Sequence, residues 1–348
     1  MTVAAAGAPA AERTAHDGAR LQHLFRAARR DGRIHPLQHL VQAYRQVGPA
    51  SGAAPIEPAS PLPSPAPIDP TRLQQCLRGL PALPQAALQA LGALRDEHSS
   101  AEQCAEAIGH DPSLTARTLR LANSAFYGVP GRVASLRDAV QVLGRRPLAS
   151  LLTLATVAGS FDRCGGAAPG FAGFWRHSIG AALAARPIAQ ALGQDEDLAF
   201  TVGLLHDVGR LALATHFPAE TAAALAHTRE LDGGHADAEQ RLLGTDHLAV
   251  GAQVATHWCF PADVVQALAG HHAPDPGSGW TASLADTVHL ADAVAHALDL
   301  AADPHEVVPA IDAGSWDRLG PATRALPAIF GPTEAGVAEL AELLGLAR

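Results

Sequence analysis

The sequence predicts an all-α fold of two packed helical subdomains, and three observations carry that prediction. Apolar residues make up 48% of the 348-residue chain but aromatic residues only 4%. The core must therefore be assembled from Ala, Leu and Val, a mixture that suits packed helices better than a β-sandwich. From Thr71 onward apolar residues recur at helical spacing, with Pro or Gly interrupting every ~10–20 residues and no alternating strand pattern. The length leaves room for roughly two domains of ~150 residues.

The elements follow in order. Residues 1–47 read as an N-terminal segment that behaves as a flexible tail or forms a short helix. Its apolar positions are Leu21, Leu24, Phe25, Leu37, Leu40, Val41 and Tyr44, with a break near Gly32 to Pro36. Residues 48–70 are a linker dense in Pro, Ala and Ser, with polyproline II character. A helical domain is expected over 71–300, divided into 71–165 and 171–300 by the Gly-rich stretch from Cys164 to Gly173, and followed by a helical extension over 301–348 packed upon it.

Within the first half, Asp111-Pro112 reads as a helix start, Asp as cap and Pro in the first turn, with Gly128 as a stop. A second apolar helix is expected from Arg145 to Ser160. In the second half, helices are predicted over Phe174 to Leu192, Glu196 to Leu205, Ala219 to Leu231, Ala238 to Leu243, His247 to Trp258, Ala262 to His271 and Leu284 to Leu298.

Charge and cysteine usage narrow the function classes. A net charge of -9 and a pI near 6.0 argue against an electrostatic grip on nucleic acid or anionic lipid. All 25 basic residues are Arg, a compositional bias that makes each one less informative. Cys76, Cys104, Cys164 and Cys259 form no C-x-x-C pair, which fits a reducing cytoplasm. The first residues lack the basic stretch and apolar core of a secretory signal, and the longest apolar run, Pro147 to Gly159, is too short to cross a bilayer.

Histidine is the informative residue, with 18 copies. His98, His216, His227 and His305 are lone residues and read as solvated or satisfied side chains. His206-Asp207 differs, because it ends the apolar stretch FTVGLL and is followed by Gly209. A buried imidazole and carboxylate need hydrogen bonds or a cation, and one divalent metal answers both needs; a metal-free buried polar network is the alternative. His177 opens one neighbouring helix and Asp292 lies within another, giving H…HD…D. Two imidazoles and two carboxylates suit Mn, Fe, Zn, Ni or Mg. His247, in HLAVG, and His271-His272 can complete a second position. Two ions about 3.5–4 Å apart would polarise a phosphoryl group. His271-His272 could instead simply end a helix.

The H…HD…D pattern resembles the HD superfamily of metal-dependent phosphohydrolases, and HLAVG with His271-His272 is similar to positions of the binuclear HD-GYP phosphodiesterases. The GYP stretch is missing, and HDVGR stands where HDxGK is usual, so Arg210 replaces an ammonium with a guanidinium fork. The segments LRGLPALPQAALQAL (77–91), IGHDPSLTARTLRLANSAFYG (108–128) and SLRDAVQVLGRRPLASLL (135–152) resemble the N-terminal half of an HDOD domain. The likeness runs from about Thr71 to Leu346.

That resemblance implies an all-α bacterial signalling module, its C-terminal half HD-like. The implied role is a non-catalytic regulator or scaffold whose His/Asp cluster holds one or two divalent metal ions, and whose partners are signalling proteins on separate chains. The alternative is a phosphohydrolase acting on a nucleotide or cyclic dinucleotide, with Arg210 offsetting phosphoryl charge. Direct DNA contact would draw only on Arg117 to Arg120 and Arg145-Arg146, and these read better as solvated ion pairs. No membrane partner is expected.

Overall fold

Several helices begin where the sequence supplies a capping side chain, among them those opened by Asp69, Ser100, Ser135, Asp195, Asp246 and Ser283. In the computed structural model, the described residues are 10–26, 28, 35–47, 67–79, 84–123, 133–162, 171–231, 235–275, 281–303, 305–311, 313–344 and 346. Among them every regular element is a helix, so the fold is all-α. Most of the linker, Gly128 and most of the Gly-rich divider lie outside the described residues.

The N-terminal segment contributes α1 (Ala10–Leu24) and α2 (Pro36–Arg45), followed by α3 (Pro70–Arg78) after the linker. Then come α4 (Gln85–Arg95), α5 (Ala101–Gly109), α6 (Pro112–Ala122), α7 (Leu136–Leu143) and α8 (Arg145–Asp162). Capping boxes open α5 at Ser100/Gln103 and α7 at Ser135/Asp138. The expected start at Asp111-Pro112 is found: the Asp111 carboxylate accepts the Leu114 N–H at 3.1 Å. Helices α4 to α8 pack together around Leu91, Leu94, Ile108, Leu121, Leu148, Leu151 and Leu152, all 4% exposed or less.

The second half is centred on α9 (Phe171–Leu192), which packs against α10 (Glu196–Leu205). It continues through α11 (Val208–His216), α12 (Pro218–Leu231), α13 (His235–Leu243), α14 (His247–His257), α15 (Ala262–Gly270) and α16 (Leu284–Ala297). Helices α17 (Ala313–Arg318), α18 (Gly320–Thr323) and α19 (Leu326–Leu343) follow. Both α16 and α19 pack on α9, and α10 also touches α8, joining the halves.

At one crossing the main chains themselves meet. A Cβ on Gly209 of α11 would lie 2.0 Å from the His247 carbonyl oxygen and 2.6 Å from the Gly251 nitrogen of α14. Only glycine permits that approach. The stretch Glu196–His216 is long and apolar enough to cross a membrane, but 78% of its apolar window is buried in this core, and it is broken at His206-Asp207.

The N-terminal helices do not behave as a flexible tail. Leu21, Leu24, Phe25, Leu37 and Val41 are at most 1% exposed. Arg20 forks onto Asp299 at 2.8 and 2.6 Å and also donates to the Asp303 carbonyl. The Val308 N–H donates to the Leu24 carbonyl, and Tyr44 donates to Glu334 at 2.6 Å. Of the two readings the helical one is found, and its docking was not foreseen because an apolar stripe this short has no visible partner in the local sequence. Its partner lies nearly 300 positions away, on the loop after α16 and on α19.

Candidate metal centre

His206 and Asp207 occupy the break between α10 and α11. Asp207 takes φ -98° and ψ 13°, the sparsely populated bridge conformation. Because the helix stops here, two adjacent side chains reach one centre instead of diverging by about 100° around a helix. His177 comes from α9, Asp292 from α16 and His247 from the first position of α14, while His271 and His272 directly follow α15. All seven sequence-predicted ligands lie in one cluster, six of them buried and His272 partly exposed.

They form two groups, the ligand atoms of each lying within 4.8 Å of one another. In the first, Nε2 of His177 is 3.1 Å from Nε2 of His206, and Oδ1 of Asp292 lies 3.0 and 3.4 Å from these two nitrogens. In the second, Oδ1 of Asp207 is 3.5 Å from Nε2 of His247 and 3.9 Å from Nε2 of His271. His272 joins this group, with Nδ1 3.9 Å from Oδ2 of Asp292. Asp207 links the two, its Oδ2 lying 3.7 Å from Nε2 of His206.

Outer contacts fix which ring nitrogen faces inward. Nδ1 of His206 donates to the Gly203 carbonyl at 2.8 Å, and Nδ1 of His271 to that of Leu268 at 2.9 Å. Nδ1 of His247 donates to the Glu239 carboxylate at 2.6 Å, and the same oxygen accepts the His247 backbone N–H at 2.8 Å. A neutral imidazole that donates through Nδ1 keeps its lone pair on Nε2. All three Nε2 atoms thus face the cluster as candidate ligand atoms.

The donor set fits a divalent cation. Asp207 Oδ1, His247 Nε2, His271 Nε2 and both Asp292 carboxylate oxygens are buried with no hydrogen-bond partner. An unsatisfied buried polar group costs about 1–3 kcal/mol, more if charged. One divalent cation shared among them would satisfy all five.

Charge is correspondingly polarised. Burial raises the Asp207 pKa, but Arg210, His206 and His247 outweigh it and hold the carboxyl well below its ordinary range. Asp292 is likewise depressed against its burial, chiefly by His296 and by the His177 and His206 rings that stand 3.0 and 3.4 Å from its Oδ1. Burial, helped by His206 and His247, pushes His271 down to about 3, so it stays neutral and able to ligate. Burial drives His272 in the same direction.

Arg210 is less available than the sequence suggested. Its Nη1 donates to Oδ2 of Asp207 at 2.8 Å, and its Nη2 stands 3.2 Å from Nδ1 of His235. The guanidinium is therefore committed to a candidate ligand. Residues missed by sequence reasoning complete the cluster. Nε2 of His296 lies 3.2 Å from Oδ1 of Asp292, and its Nδ1 is 2.8 Å from Oε1 of Glu306. Burial opposes a charge on His296, yet Asp292 and Glu306 carry its pKa up to about 10. The four-residue spacing of Asp292 and His296 on one helical face was a usable signal. Glu239 and Glu306 gave none.

Comparison with known proteins places this geometry in a family. A model of the HDOD domain matches residues 80–274. A crystallised candidate phosphohydrolase of Shewanella amazonensis is 28% identical, with a TM-score of 0.60 over 78% of this chain and 98% of that one. An HDOD domain protein of unknown function from Geobacter sulfurreducens is 24% identical, with a TM-score of 0.66 over 78% and 97% of the two chains. A candidate signal transduction protein of Marinobacter aquaeolei is 22% identical, with a TM-score of 0.61 over 79% and 65%. An uncharacterised protein of Treponema pallidum is 23% identical over 232 residues, which span 66% of this chain and 44% of that relative's length.

Proposed function

We propose, on the premise that the chain belongs to the HDOD domain family, that it is a cytoplasmic regulatory or scaffold module of bacterial signalling whose buried His/Asp cluster holds divalent metal without turnover. The observation that carries this reading is the sealing of the cluster. His206, Asp207, His247, His271 and Asp292 are at most 2% exposed. Arg210 further occupies one oxygen of Asp207. A phosphodiester would have to reach these atoms, and the same burial that strengthens a metal site for stability denies it an approach. In this role the ions tie α9, α10, α14, α15 and α16 together, and helical faces are left to engage signalling proteins on separate chains.

The second reading is a metal-dependent phosphohydrolase acting on a nucleotide or cyclic dinucleotide. It is favoured by Asp207 standing between two ligand groups, by the partly exposed His272 side chain at 23%, and by the likeness to the Shewanella protein. Divalent ions would there supply Lewis-acid polarisation of the phosphoryl group. His177, His206, Asp207, Asp292, His247, His271 and His272 would hold them, and Arg210 would balance charge at Asp207.

One paired measurement separates the readings. Protein reconstituted with Mn, Fe or Zn is assayed for metal by elemental analysis and for hydrolysis of bis(p-nitrophenyl) phosphate and cyclic dinucleotides. The expected result is bound metal, lost in Asp207→Ala, and no hydrolysis above that variant. Hydrolysis that disappears with Asp207 would establish the enzyme instead.

A further inference from the structure

The first ligand group has a neighbour that the H…HD…D pattern does not contain. His296 and Glu306 lie beyond residues 80–274, the part matched by the family model. His177, His296 and Glu306 offer ligand atoms within 4.8 Å of one another. His296 is one turn beyond Asp292 on α16 and 9% exposed, and Glu306 is 7% exposed.

Three ring nitrogens crowd one carboxylate oxygen here. Nε2 of His177, His296 and His206 stand 3.0, 3.2 and 3.4 Å from Oδ1 of Asp292. That oxygen nonetheless makes no well-directed hydrogen bond. Groups that hydrogen-bond point at each other, whereas groups arranged around a cation stand about 3 Å apart and point at a common centre, as follows from metal–ligand distances of about 2.0–2.2 Å. His296 also has the outer contact expected of a ligand. Its Nδ1 lies 2.8 Å from the Glu306 carboxylate, the same arrangement that Glu239 gives His247.

We infer that His296, oriented by Glu306, releases its Nε2 proton to solvent and becomes a ligand of the ion held by His177, His206 and Asp292, so that this position is closed by protein. Glu306 acts as a positioning residue through the ring of His296. The consequence separates this position from a catalytic one, which keeps a site open for water or substrate. This inference rests on the cluster holding metal, and it deepens that reading by assigning the first position a structural role.

The test uses full-length protein and Zn2+ alone, titrated against a chromophoric chelator. Wild-type protein is expected to take up two equivalents. In His296→Gly one of the two weakens by roughly 100-fold, and added imidazole, filling the space left by the ring, restores it. Glu306→Gln, which keeps an acceptor for Nδ1 but removes its charge, weakens the same equivalent by roughly 10-fold, and decides the matter if His296→Gly does not fold. Wild-type protein that takes up no Zn2+ would overturn the metal reading itself. Normal uptake with both variants unchanged, or a loss in folded His296→Gly that imidazole leaves unrestored, would overturn the role of His296 while leaving the metal reading standing.

Discussion

The two halves of the helical domain are made of the same Ala and Leu, yet among the described residues only the second also buries His, Asp and Glu side chains. Between residues 84 and 162 the buried polar residues among those described are Thr118, Ser150, Thr153 and Thr156, all neutral. The Thr153 hydroxyl returns to its own helix, donating to the Ala149 carbonyl at 2.9 Å. The second half buries His177, His206, Asp207, Glu239, His247, His271, Asp292 and His296. A buried hydroxyl can satisfy itself within one helix. A buried carboxylate cannot, and must recruit partners from several. The first half is thus held by packing, and the second by packing around a charged centre that fixes where its helices sit.

The sharpest way to break this contrast is at the helix crossing. Gly209→Ala drives a methyl group into the main chain of α14, where neither side can give way. It should cost about 3 kcal/mol or more, in the range of severe overpacking, and also displace His247. Urea unfolding with a parallel metal titration would show both losses. A Gly→Ala change that is merely neutral would mean the two helices are free to separate.

Next in size is Glu239→Gln, which keeps the contact to His247 but removes the charge that fixes its ring. Metal affinity should fall by roughly 10–100-fold with little change in apo stability. Equal affinity would place His247 outside the ligand set.

Two smaller effects bound the comparison. The neutral ring of His35 caps α2, its Nδ1 accepting the Leu37 N–H at 3.1 Å. Burial, aided by His289, lowers its pKa from 6.5 to about 4. Between those values the unfolded chain binds the proton and the folded one does not, so this contribution to stability is present above pH 6.5 and lost on acidification towards pH 4. His35→Asn keeps a capping acceptor without the titration, and should lose less stability than the wild type between pH 7 and pH 5 in urea unfolding. Finally, Thr153→Val in the first half should change stability by less than about 1 kcal/mol. A larger loss would show that this core, too, depends on its polar groups.

The sequence revealed the site more fully than the periphery. Helices α10, α14 and α16 were bounded within about two residues because caps and apolar periodicity agree there. The seven candidate ligands were legible because His and Asp are conspicuous in apolar helices. Glu239 and Glu306 were not, since each meets its histidine from another element and sits in an ordinary polar context. The docking of α1 and α2 was hidden for a related reason. Amphipathicity says that a face is covered, and nothing about what covers it.

The Arg20 clamp on Asp299 has a consequence in time. The two residues are 279 positions apart, so α1 leaves the ribosome well before the loop it docks against. At translation rates of roughly 5–20 residues per second, the apolar face of α1 waits many seconds for its cover. The order of synthesis therefore separates the making of α1 from its docking.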